Sequence, residues 1–247
     1  MIKHRVMING IDVLAHYTEG AVQGVFLPFL QRMTALQKAK GRRILVMLAA
    51  PPGAGKTTLN TFLSRLSRER EDLSPLQAIG MDGFHHRQAY LLSHRTFRDG
   101  KSIPMVEVKG APETFDLEKL TEAVKKAASG ESCPWPAYDR MLHDPVENTV
   151  TVDGDIVLLE GNYLLLDEDG WRDLKAFADY TVSLRADESI LRARLIDRRM
   201  KTGVDRERAV RFVDFSDMPN VRLCLEKSLP ADLRLVLGPD GDHSAER

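Results

Sequence analysis

The stretch from Arg42 to Thr58, Arg-Arg-Ile-Leu-Val-Met-Leu-Ala-Ala-Pro-Pro-Gly-Ala-Gly-Lys-Thr-Thr, constrains this chain more than any other. An apolar strand runs into a glycine-containing loop, and the loop opens directly into a helical pattern. Successive backbone N–H groups around Gly53 and Gly55 form a concave anion-binding nest, and the helix that follows points its positive end at the same place. The expected ligand is the β,γ-phosphate end of a nucleotide, held by Gly53, Ala54, Gly55, Lys56, Thr57 and Thr58. Gly55 lets the backbone approach closely, Lys56 brings a mobile positive charge to the phosphate oxygens, and Thr57 offers a hydroxyl to Mg²⁺. The first position of the strict pattern is occupied by Ala50, another small residue.

The chain has 247 residues, 43% of them hydrophobic and 29% charged, an ordinary globular composition long enough for one large α/β domain. Lys and Arg number 35 against 36 Asp and Glu, so the balance supplies no electrostatic reason for nucleic acid as a principal partner. Cys133 and Cys224 lie far apart without metal-ligand or redox spacing, and are expected as free thiols of a reducing compartment. No apolar run approaches the ~20 residues that span a bilayer, and Met1 to Val6 lacks the apolar stretch of a signal peptide. A cytoplasmic location without membrane partners is expected, and homodimerisation is left open.

Residues 13 to 40 read as a leading helical segment, with Val25, Phe26, Phe29, Leu30, Met33 and Leu36 at helical spacing and Pro28 as a local interruption. Arg43 to Ala49, Gln77 to Met81, Asp155 to Leu159, Tyr180 to Leu184 and Leu233 to Leu237 read as buried strands. Helical patterns alternate with them: Lys56 to about Arg70, Asp116 to Ala128 with Gly130 beyond its end, and a helix capped by Asp187. The fold class that follows is α/β, a doubly wound five-stranded parallel sheet covered on both faces. Residues 1–237 form one domain, with excursions at 84–114 and 131–150, a lid helix over 187–203 and a disordered tail at 238–247. The 84–114 stretch looks too polar for a core element. Ligands of such sheets bind outside the carboxyl ends of the strands.

Three strands end in chemistry suited to phosphoryl transfer. The first leads to Lys56 and Thr57, the second to Asp82 and the third long one to Glu160. That reaction needs a nucleotide cradle, a metal-holding carboxylate and a group that positions or deprotonates an acceptor hydroxyl. Thr57 and Glu160 are the candidate metal ligands, and Asp82 the candidate base. Phe84, His85 and His86 beside it, together with Lys109, Tyr138, Arg140 and His143, are candidates for binding the acceptor. The helix after Asp187 carries Arg192, Arg194, Arg198 and Arg199, of which Arg194 and Arg198 are the candidates, with Lys56, for neutralising the transferring phosphoryl.

Pro-Pro-Gly-Ala-Gly-Lys-Thr-Thr, Met81-Asp82-Gly83-Phe84-His85, Leu159-Glu160-Gly161-Asn162-Tyr163 and the arginine-rich helix together resemble the P-loop kinase group of uridine kinase, phosphoribulokinase and bacterial pantothenate kinase. Lys109-Gly110-Ala111-Pro112-Glu113-Thr114-Phe115-Asp116, Tyr138-Asp139-Arg140 and Phe215-Ser216-Asp217-Met218-Pro219-Asn220 are similar to its branch of nucleoside/nucleotide kinase and fructose-transport-system kinase names. The resemblance spans roughly residues 8 to 237. It implies a kinase dependent on ATP and Mg²⁺ that phosphorylates an alcohol of a small metabolite, with Asp82 as the catalytic carboxylate. The acceptor stays open between sugar, nucleoside and pantothenate-like compounds, and ATP is not distinguished from GTP. A nucleotide-dependent switch without an acceptor is the alternative. Asp167-Glu168-Asp169-Gly170 fits the loose Asp-x-x-Gly of such switches, but the chain has no Asn-Lys-x-Asp base reader.

Overall fold

The computed structural model describes residues 1–8, 11–98, 100–139 and 141–246. It opens with an antiparallel hairpin, β1 (Ile2–Ile8) and β2 (Ile11–Tyr17). Val13, Ala15 and Tyr17 turn inward while Asp12, Leu14 and His16 stay exposed, the period of two that marks a strand. The expectation of helix from residue 13 is therefore corrected. Helix starts at α1 (Glu19–Ala21), where the Thr18 hydroxyl accepts the Ala21 N–H at 3.0 Å. A π-helical turn at Val22–Phe26 leads into α2 (Leu27–Lys40), which carries Pro28 in its first turn and ends at Gly41 in the left-handed conformation.

From there strands and helices alternate. β3 (Ile44–Ala49) leads to α3 (Lys56–Arg68), and β4 (Leu76–Gly80) to a 3₁₀ turn at Met81–Phe84. The first excursion contains α4 (Gln88–Ser93) and a hairpin of β5 (Arg95–Arg98) and β6 (Lys101–Pro104). Next come α5 (Leu117–Ser129) and a second hairpin, β7 (Cys133–Asp139) with β8 (Asp144–Val152). β9 (Ile156–Gly161) and β10 (Tyr180–Ala186) precede α6 (Glu188–Met200), α7 (Arg206–Phe212) and α8 (Met218–Glu226). β11 (Leu233–Leu237) and β12 (His243–Glu246) close the chain. Among the described residues no helix is long and apolar enough to cross a membrane.

The central sheet has the order β12-β11-β10-β3-β9-β4, parallel throughout except for β12. Every residue of β3 and β9 is buried, as a strand covered on both faces requires. Ile44, Val46 and Leu48 join the core under α2, α3 and α6, whereas Leu45, Met47 and Ala49 join the core under α5 and β7. Asn60 of α3 donates to the Ile79 and Leu158 carbonyls at 3.0 and 3.1 Å, tying that helix to β4 and β9.

Two further expectations change. The tail is ordered over residues 238–246, and Arg247 lies outside the described residues: Gly238 N–H bonds the Asp242 carbonyl at 2.8 Å, and β12 adds to the sheet edge. His243 is held there by Tyr17 and Phe26, residues from the other end of the sequence, so no local pattern signals it. The first excursion is not purely polar, because Phe84, Leu91, Met105, Val108 and Ala111 are buried in it. Just before it, at Gly83, a Cβ would lie 2.2 Å from the Pro136 carbonyl oxygen.

That contact is with backbone, which cannot step aside. Gly83→Ala is expected to destabilise the fold by about 2–3 kcal/mol, whereas Gly24→Ala, where a Cβ meets nothing within 4 Å, should be neutral or stabilising. Thermal denaturation of the two variants tests this, and equal midpoints would contradict it.

Candidate active site

The site is assembled by strand register. Glu160 of β9 lies level with Leu48 of β3 on one side and Gly80 of β4 on the other. The loop after β3, the turn after β4 and the carboxylate at the end of β9 therefore meet at one edge of the sheet, as the sequence predicts for Lys56, Thr57, Asp82 and Glu160. Gly53 and Gly55 adopt φ values of 84° and 87°, a region where glycine is unstrained. Gly53 also needs its bareness for packing. A Cβ there would stand 3.0 Å from the Leu195 side chain and 3.1 Å from the Leu191 carbonyl, so α6 rests directly on the loop.

Glu160 is 4% exposed. Its Oε1 accepts the Thr57 hydroxyl at 2.8 Å, while Oε2 is buried and has no protein partner. Gly80 makes room for it, since a Cβ there would be 3.0 Å from Oε1. Burial pushes the Glu160 carboxyl up to about 7, the Asp82 charge pushes the same way, and Lys56 and the Thr57 hydrogen bond oppose them. Asp82 sits in the 3₁₀ turn at the end of β4, half-buried. Among the described residues no donor or cation reaches its carboxylate within hydrogen-bond or ion-pair distance.

Of the two candidate lid arginines, Arg194 projects over the loop. Its Nη1 is 3.8 Å from where a Cβ on Gly55 would be, and its Nη2 is equally close to that of Gly241. Burial holds its guanidinium below the usual range, and Tyr17 works in the other direction. Arg198 follows one helical turn later, partly exposed. The other arginines of α6 are engaged elsewhere. Arg192 forms a two-pronged pair with Asp214, and Arg199 lies over the Phe212 ring and 3.6 Å from Asp217.

The acceptor-side candidates separate into a cluster and outliers. His85 Nδ1 lies 2.8 Å from the Asp82 carbonyl; a carbonyl can only accept, so that nitrogen carries the proton. The His85 ring packs 3.8 Å from Phe115 and 5.3 Å from Tyr138. Lys109 Nζ lies 4.8 Å above the Tyr138 ring and donates to Gln88 Oε1 and the His143 carbonyl, each at 2.9 Å. Burial lowers the Lys109 pKa, and Asp144 partly offsets this. His143 thus joins through its backbone, in a positive-φ turn, and its residue is exposed.

Phe84 is a correction. At 1% exposure it packs edge-on against Trp135 in the core, so it supports the cluster from below and does not line it. His86 stacks along α4 on Tyr90, which stacks on His94, away from the His85 pair. Arg140 lies outside the described residues. Sequence reasoning did not single out Gln88 and Asp144, whose 2.6 Å hydrogen bond joins α4 to β8. Only the pairing of distant segments creates that bond. It also left Asn162 unassigned, although its Oδ1 is buried without a partner two residues beyond Glu160.

Known proteins resemble this chain. The "Uncharacterized protein YggC" of Escherichia coli is 39% identical over 243 residues, covering 98% of each chain. A Schizosaccharomyces pombe protein named "Putative uridine kinase" is 30% identical over 78% of this chain and 83% of its own. The solved structure of a "putative fructose transport system kinase" from Silicibacter sp. TM1040 superposes with a TM-score of 0.70 at 31% identity, over 82% of this chain and 98% of that one. Residues 45–236 match the family described as "Phosphoribulokinase / Uridine kinase family", and with the phosphate loop, Asp82 and Glu160 gathered at adjacent strand ends, the chain belongs to that family of P-loop kinases acting on small molecules.

Proposed function

We propose that the chain transfers the γ-phosphoryl of Mg·ATP to a hydroxyl of a small metabolite. The observation that carries this reading is the convergence of three adjacent strand ends: the loop at Gly53–Thr58, the unpaired carboxylate of Asp82 and the buried carboxylate of Glu160. The hydroxyl of Thr57 and the orphaned Oε2 of Glu160 are hard oxygen donors of the kind that would hold a magnesium ion. Bound there, the ion would neutralise charge on the transferring phosphoryl.

The protein's own residues do the rest. Backbone N–H groups of the loop and Lys56 hold the phosphates. Arg194 stands over Gly55, where it faces the polyphosphate as α6 closes. Asp82 accepts a hydrogen bond from the acceptor hydroxyl, orients its oxygen toward phosphorus and takes the proton as the bond to phosphorus forms and the bond from phosphorus to the ADP oxygen breaks. The switch alternative gains nothing from the fold. Asp167 and Asp169 are paired to Arg172, and Glu168 to Lys227, on a salt-bridged surface segment.

With saturating Mg·ATP, ADP release should rise on addition of one member of a panel of sugars, sugar phosphates, nucleosides and pantothenate. Asp82→Asn should cut that acceptor-dependent rate about 10²- to 10⁴-fold. A rate insensitive to both acceptor and substitution would reject the kinase reading.

Glu160 makes a second expectation, with a defined sign. A carboxyl raised to about 7 in the fold keeps its proton where the unfolded chain has lost it, so stability falls as pH rises from the ordinary glutamate range through 7. In the metal-free protein, Glu160→Gln should therefore be more stable than wild type at pH 8, by on the order of 3 kcal/mol, with the gain vanishing as pH falls below the ordinary glutamate pKa of about 4.3. Mg·nucleotide should bind the variant more weakly, and binding to wild type near pH 6.5 should release a proton. Denaturant titrations across pH, and calorimetry in buffers of differing ionisation enthalpy, read both.

A further inference from the structure

The kinase reading leaves the acceptor open, and the cluster around Lys109 narrows its chemistry. Four groups follow one another from the turn after β4. Asp82 offers its carbonyl to His85 Nδ1 at 2.8 Å, the His85 ring lies 5.3 Å from Tyr138, and the Tyr138 ring lies 4.8 Å from Lys109 Nζ. Their placement is enforced by backbone packing. Pro136 presses against Gly83 so closely that no Cβ fits between them, which sets β7, and with it Tyr138, beside the turn that carries Asp82.

Lys109 is held by neutral partners. Two of its three N–H donors go to the Gln88 amide oxygen and the His143 carbonyl, and its charge faces an aromatic ring. Among the described residues no carboxylate stands within ion-pair distance of its Nζ. The acidic group acting on it, Asp144, accepts the Gln88 N–H and offsets only part of the effect of burial. Elsewhere on the molecule Lys40, Lys119, Lys201 and Lys227 each meet a carboxylate at 2.5–3.0 Å. A half-buried ammonium with one donor left, no ion-pair partner among the described residues and only partial compensation from Asp144 is expensive unless an anion arrives.

We propose that the acceptor is anionic: a small hydroxylated metabolite whose phosphate or carboxylate, several bonds from the hydroxyl held at Asp82, pairs with Lys109. This rests on the kinase reading for the placement of the hydroxyl. The Tyr138 ring and the His85 ring flank the carbon skeleton between the two ends. Gln88 and the His143 carbonyl fix the ammonium, so that the distance between Lys109 and Asp82 selects acceptors by length as well as charge. A neutral sugar or nucleoside would leave the ammonium without an ion-pair partner. It would be the poorer substrate by the worth of a charge-assisted hydrogen bond, about 10- to 100-fold.

The test compares matched sets that differ only in the terminal group: ribose, ribose 5-phosphate and ribonate; fructose, fructose phosphates and the corresponding sugar acids; pantothenate and its uncharged alcohol analogue. Wild type, Asp82→Asn, Lys109→Met and Lys109→Arg are assayed at saturating Mg·ATP. The expected result is preference for an anionic member, with the phosphate and carboxylate arms showing which anion is read. Lys109→Met should raise KM for that member about 10- to 100-fold with a smaller change in kcat, and Lys109→Arg should restore part of the loss. A neutral member used as well as its anionic partner, with Asp82-dependent turnover that Lys109→Met leaves alone, overturns the anion assignment and keeps the kinase.

A binding readout covers the case in which no compound is turned over. Protein labelled with ¹³C at lysine Cε is loaded with a non-hydrolysable ATP analogue to fill the phosphate loop. The Lys109 signal, assigned through Lys109→Arg, is followed during addition of inorganic phosphate and of glycerol. A saturable shift with phosphate alone supports the anion site even if the kinase reading fails. No shift with phosphate, or the same shift with glycerol, overturns it.

Discussion

The hydrogen bond between Thr57 and Glu160 is the contact on which the rest of the site depends. It joins the first turn of the helix after the phosphate loop to the end of β9, and places a carboxylate where burial alone would keep it protonated near neutrality. Such a group is stable there only because other elements supply compensation. Lys56 contributes charge, Thr57 a donor and Gly80 the space. The orphaned second oxygen shows that the compensation is incomplete in the protein alone, the condition under which a buried carboxylate favours a divalent cation.

The glycines of the phosphate loop answer to two demands at once. Gly55 must leave the backbone open toward the ligand, beneath Arg194. Gly53 must let α6 sit on the loop through Leu191 and Leu195. α6 and the phosphate loop consequently pack so closely at Gly53 that no side chain fits between them. The two ends of the chain close the same corner. Tyr17, stacked on Phe62 of α3, also meets His243 of β12, and Arg194 stands near both Gly55 and Gly241. These terminal elements lie outside residues 45–236, where the family similarity resides.

Much of this was legible before the fold was known. The runs Ile44–Ala49 and Ile156–Gly161 announce central parallel strands because burial on both faces demands continuous apolar sequence. Asp116 and Asp187 announce helix starts because a short acceptor side chain satisfies the free N–H groups there, and both do so, at 3.0 and 2.8 Å. The β1–β2 hairpin was misread because Val25 to Leu36, a helical stripe, was extended backward over residues that alternate. β12 was missed because four mostly exposed residues form a strand only when β11 offers an edge. Phe84 was misassigned for a related reason, since adjacency to Asp82 in sequence does not say which side of a 3₁₀ turn faces the core.

By itself the sequence determined the α/β class, the phosphate loop and the three strand ends that carry reactive groups. Each of these depends on interactions local to a strand, a turn or the first turn of a helix. Which arginine of α6 reaches the loop, which acceptor-side residues share a cluster, and that Lys109 has no ion-pair partner among the described residues were decided only by tertiary structure. Those properties are distances between segments tens of residues apart, set by strand register and by the close packing of β7 against Gly83. No local pattern encodes such a distance.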